Sequence, residues 1–147
     1  MSKSASQLID ALANCHQVES DGIGPANAPS DVHGIYRALI GVATDDELIA
    51  AASHPSPVVR SYIGKWLASF RTDAVDTILS LLADDTLVST QMGCIGNRIP
   101  VGEYVMFQLA LAGKEGCDVL RQAAQSEQLT EEQRRLATNF GRLHSDE

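Results

Sequence analysis

Residues 54–70, HPSPVVRSYIGKWLASF, read as one helix with a defined start. Ser56 suits the cap, and Pro57 fits the first helical position, where no backbone N–H is needed. Val59, Ile63, Trp66 and Phe70 recur at spacings of four, three and four, so they line one face. One short helix cannot bury that face alone. The pattern predicts helices packed on helices, a kind of scaffold that binds partners more often than it does chemistry.

The same punctuation runs through the chain. Ser4 with Gln7, Thr44 with Glu47 and Thr130 with Gln133 have capping-box spacing. Apolar stripes follow each of them: Leu8, Leu12 and Cys15 in the first, Leu136, Phe140 and Leu143 in the last. Thr72 is read as the cap of a helix bearing Val75, Ile78, Leu79 and Leu82. Residues 101–112 are apolar nearly all round, which marks a central, buried helix. The expectation is an all-α fold of about eight helices in stacked antiparallel pairs: 5–15 with 31–42, 45–53 with 57–70, 73–83 with 101–112, and 115–125 with 131–143. The glycine- and proline-rich segment 21–30 reads as a connector. The 147 residues suit a single helical domain, 1–147.

The middle pairs resemble HEAT repeats. The resemblance covers roughly residues 45–112 and is carried by Pro55-Ser56-Pro57-Val58-Val59-Arg60, which matches the proline, valine and arginine positions opening the second helix of that family's unit. It implies a short α-solenoid that binds macromolecules without built-in catalysis. The second unit departs from the family pattern through a long insertion.

That insertion, residues 85–100, has the length at which loops in compact domains become uncommon and often functional. Gly96-Asn97 suits a two-residue turn, so a small β-hairpin projecting from the helices is expected there. Its polar residues Thr86, Ser89, Thr90, Gln91, Asn97 and Arg98 are the candidate partner-binding set, arginine being favoured at interface anchors. Leu87, Val88, Met92, Ile95 and Ile99 would pack the other side onto helices.

Charge narrows the partner. With 19 acidic and 11 basic residues the net charge is −8, which repels phosphate backbones and anionic membranes and steers basic surfaces inward. No nucleic-acid or membrane partner is expected. The three cysteines, Cys15, Cys94 and Cys117, have no metal or disulfide spacing. No two histidines sit at helical ligand spacing, so no metal and no cofactor is expected. His33, in a helix's first turn, reads as solvated. The start of the chain, MSKSASQLIDALANC, has no leader-like apolar core, which places the protein in the cytoplasm.

No catalytic set emerges, and the protein reads as a non-enzyme. The leading expectation is a small acidic cytoplasmic protein-binding module, such as a toxin-neutralising immunity protein or an adaptor subunit. One alternative is an enzyme or small-molecule binder using a cleft near Cys94, Arg98, Glu103 and Tyr104. Another is a nucleic-acid scaffold of the alkylation-repair kind, for which Arg60, Lys65, Arg71 and Arg98 make too few cations.

Overall fold

The structure, a computed structural model, describes residues 3–142. Eight α-helices and four strands occur among them. In chain order they are α1 (Ala5–Ala13), β1 (Val18–Ile23), β2 (Ala28–Pro29), α2 (Asp31–Val42), α3 (Asp45–Ala50), α4 (Pro57–Phe70) and α5 (Val75–Leu82). Then come β3 (Leu87–Gly93), β4 (Ile95–Pro100), α6 (Val101–Leu111), α7 (Lys114–Ala123) and α8 (Glu131–Gly141). Leu143 and His144 lie outside the described residues. No described helix is long and apolar enough to cross a membrane.

The sheet corrects the all-α, solenoid expectation. Its strand order is β2-β1-β3-β4, with β1 antiparallel to β2 and parallel to β3. The protein is therefore mixed α/β. The segment read as a connector supplies β1 and β2, and the insertion supplies β3 and β4 as adjacent strands of the same sheet. The insertion thus belongs to a sheet and does not project from helices. Its turn lies at Gly93-Cys94, with Gly96 and Asn97 inside β4. Gly93 carries the positive φ of 60° that the reversal requires.

Strand β1 is irregular, and side chains hold it. Glu19 faces Gln91 and Ile23 faces Gly93, so β1 takes four residue steps where β3 takes two. Ser20 Oγ occupies the bulge. It accepts from the Gly93 N–H at 2.9 Å and donates to the Gly22 carbonyl at 2.8 Å.

The chain groups into two compact units, one from the residues up to Ile63 with Leu87–Ile99, the other from Gly64–Thr86 with Pro100 onward. In the first, α1 packs on α2 and α2 on the sheet strand β1. Its core includes Leu8, Leu12, Val18, Leu39, Val59, Tyr62 and Val88. Ser4, Thr44 and Ser56 start its helices as read, and Ser30 does the same for α2: each accepts a first-turn N–H.

In the second unit, α6 is the centre and meets α5, α7 and α8. Eight of its eleven residues are buried, which is why its sequence shows no polar face. Gly102 sits where a Cβ would strike the Leu82 carbonyl, so only glycine lets the start of α6 close on the end of α5. Trp66 is buried here. Phe70, expected on the same core stripe, is 65% exposed, because the stripe runs one turn past the elements that cover it. The expected Thr72 cap is also corrected. Arg71 and Asp73 pair across that turn, and α5 opens after Ala74 with no side-chain cap.

Candidate functional site

The second unit holds a groove of about 310 Å³, at the small end of ligand pockets, roughly 300–1,000 Å³. Its walls come from the end of α5, the 84–85 link, the first turns of α6 and the first turns of α8. Leu82, Pro100, Met106 and Leu136 form an apolar floor. Asp84, Asp85, Glu103 and Glu132 stand around it, and no lysine, arginine or histidine is among the lining residues.

Local structure explains how these residues come together. Asp84 Oδ1 accepts from the Thr86 N–H at 3.0 Å, and the Thr86 carbonyl accepts from the Val101 N–H at 2.9 Å. The 84–86 link is thereby tied to the start of α6. Gln133 completes the capping box of α8 and also donates to the Ala83 carbonyl at 3.2 Å, which holds the start of α8 against the end of α5. Glu103 and Glu132 sit in helix first turns, where a carboxylate complements the dipole. Two helix N-termini carry together about one positive charge. Four carboxylates outweigh that severalfold, so the groove retains a negative field above an apolar floor. This arrangement suits a cationic head on an aliphatic stem, as lysine and arginine have.

No family model matches the chain, and no curated protein sequence matches it. The site is therefore described by its own geometry.

The candidate partner-binding residues fall in different environments. Thr90 is buried on the inward side of β3. Thr86 is exposed, but its backbone serves the link just described. Gln91 Nε2 donates to the Gly93 carbonyl at 2.8 Å and supports the hairpin turn. Asn97 and Arg98 are exposed on β4, where the Asn97 side chain accepts from the Arg98 N–H. Ser89 and Arg98 line one cavity of the first unit together with Cys15, His16 and Ser56. Of the residues named for a catalytic cleft, Cys94 is exposed at the hairpin turn and Glu103 lines the carboxylate groove. Tyr104 is only 2% exposed, so its ring belongs to the core of the second unit. Two cations considered for nucleic acid are committed to protein groups: Arg60 to the His54 and Pro55 carbonyls, and Arg71 to Asp73.

Sequence reasoning missed a polar and aromatic cluster in the first unit. His33, read as solvated, is only 6% exposed. It lies edge-on to Tyr36 and Tyr62, whose rings stack at 4.9 Å. Asp21 Oδ1 lies 3.6 Å from His33 Nδ1 and 3.7 Å from an Arg37 nitrogen. Ser30 caps α2 by accepting from the His33 N–H, and it donates to Glu19 at 2.7 Å. The Tyr62 hydroxyl bonds the Glu19 backbone twice. Burial pushes both tyrosine hydroxyls well above their usual range, so they stay protonated at neutral pH. These groups position α2, α4 and β1 against each other. Tyr36 three residues after His33 was a visible helical pair, but nothing in the sequence joined it to Tyr62 or Glu19. Among the described residues no group of three metal-ligating side chains is close enough to hold an ion.

Proposed function

We infer that this protein is a small acidic protein-binding module that works in the cytoplasm and captures a basic partner. The observation that carries this reading is the second unit's groove, where carboxylates surround an apolar floor with no lining cation. A lysine or arginine of the partner enters it, laying its methylenes on Pro100 and Leu136 and its charge among Asp85, Glu103 and Glu132. The net charge of −8 adds long-range steering toward such a partner. A module of this kind serves as an immunity protein against a basic toxin or as an adaptor subunit.

The test is fluorescence anisotropy with a labelled peptide of alternating leucine and lysine. A control peptide carries glutamate in place of lysine. The triple variant Asp85→Asn, Glu103→Gln, Glu132→Gln removes charge with little change of shape. We expect at least about tenfold weaker binding by the variant, or roughly 1.4 kcal/mol, and no binding of the control. A melting curve checks that the variant folds. Equal affinity of a folded variant would contradict the reading.

A further inference from the structure

A second cavity, of about 360 Å³, lies wholly within the first unit, between the C-terminal end of α1, the start of α4 and strands β3 and β4. Arg98, His16, Ser56, Ser89 and Cys15 are the lining residues with polar side chains. The chain has 19 carboxylates against 11 lysines and arginines, yet no carboxylate is among the residues lining this cavity. Its local charge therefore opposes that of the whole molecule.

Arg98 differs from other arginines of the protein. Arg60 and Arg134 donate to backbone carbonyls, and Arg71 and Arg121 pair with neighbouring aspartates. Among the described residues the Arg98 guanidinium makes no hydrogen bond or ion pair, while its backbone N–H donates to Asn97 Oδ1, which leaves the guanidinium donors for a ligand. Ser56 Oγ accepts from the Val59 N–H and so keeps its own proton to donate. Burial, with the Glu19 charge adding to it, pushes the Cys15 thiol above its usual value. The neutral thiol donates to the Ala11 carbonyl at 3.3 Å, so no thiolate lines the cavity. Glu19 itself does not line it, and its two carboxylate oxygens accept from Gln17 and Ser30.

We propose that this cavity is a binding site for a small organic anion, a phosphate monoester or a carboxylate on an apolar body. Arg98 grips the anion in bidentate fashion, the serine hydroxyls donate to it, and Pro57 and Val88 contact the apolar part. The site is independent of the carboxylate groove.

Calorimetry with phenyl phosphate and with benzoate tests it, using the wild type, Arg98→Ala, Arg98→Lys and Arg135→Ala. The expected result is saturable binding of at least one anion in the millimolar range or tighter. Arg98→Ala should weaken it at least about tenfold, Arg98→Lys should retain part of it, and Arg135→Ala should change nothing. Tighter phenyl phosphate identifies the ligand class as phosphate esters, and tighter benzoate as carboxylates. Failure of both anions to bind at about 10 mM overturns the proposal. So does equal affinity in wild type and a folded Arg98→Ala.

Discussion

The Tyr62 hydroxyl accepts from the Glu19 N–H at 2.8 Å and donates to the Glu19 carbonyl at 2.9 Å. One side chain of α4 thereby satisfies both backbone groups of a residue at the edge of the β1 bulge. A strand of composition Val-Glu-Ser-Asp-Gly-Ile has little propensity to form, and this contact explains how it is held.

Tyr62→Phe keeps the ring and its stacking on Tyr36 but strands those two groups. We expect a loss of about 1–3 kcal/mol, the usual cost of an unsatisfied buried polar group. Chemical denaturation measures it, and hydrogen exchange should show lost protection in residues 19–23. An unchanged midpoint with unchanged protection would remove this contact from the account.

Alkaline stability follows from the same burial. Tyr36 and Tyr62 are held above the value near 10 that tyrosine has in an unfolded chain. Below about pH 10 both states keep the protons, and these groups leave stability independent of pH. Above it the unfolded chain releases protons that the folded chain retains. Stability then falls by up to about 1.4 kcal/mol per pH unit for each tyrosine. Urea titrations from pH 9 to 11.5 should show this fall, and Tyr36→Phe should reduce its slope. Equal slopes would contradict the assignment.

Trp66 and Phe70 share a sequence stripe but differ in burial. Trp66→Ala should cost about 3–5 kcal/mol. Phe70→Ser should stay within about 0.5 kcal/mol, as exposed changes do. Comparable losses from both would mean that α4 ends in a different environment.

The three free thiols rank by environment. Cys94 is exposed, Cys15 is partly buried with a raised pKa, and Cys117 is fully buried. Because the thiolate is the reactive form, a chromogenic disulfide at pH 8 should label Cys94 fast, Cys15 slowly and Cys117 only on unfolding. Peptide mapping decides the order. Fast labelling of Cys15 would contradict the protonated thiol assigned to its cavity.

The helices were legible because their signals are local. Ser4, Thr44 and Thr130 form their capping boxes as spacing requires, and 3.6-residue stripes marked buried residues such as Leu8, Leu12, Ile63 and Ile78. Strand β1 was not legible. Only Val18 and Ile23 are apolar in it, and its support comes from Tyr62 and from β3, both distant in sequence. Missing β1 turned a mixed sheet into a supposed projecting hairpin and the fold into a supposed solenoid. The groove was hidden for a related reason. Asp84-Asp85 and Glu131-Glu132 are charges at helix ends, but sequence spacing could not show that α6 and α8 begin beside the end of α5.

The central claim is that the carboxylate groove receives a cationic segment. The most direct measurement is an NMR titration of the ¹⁵N-labelled protein with the leucine–lysine peptide. The account predicts saturable shifts centred on Gly102, Glu103, Glu132 and Gln133, screened away by added salt, with the amides of β1 and β2 unmoved. Absence of shifts, or shifts scattered over every acidic helix end without saturation, would contradict it.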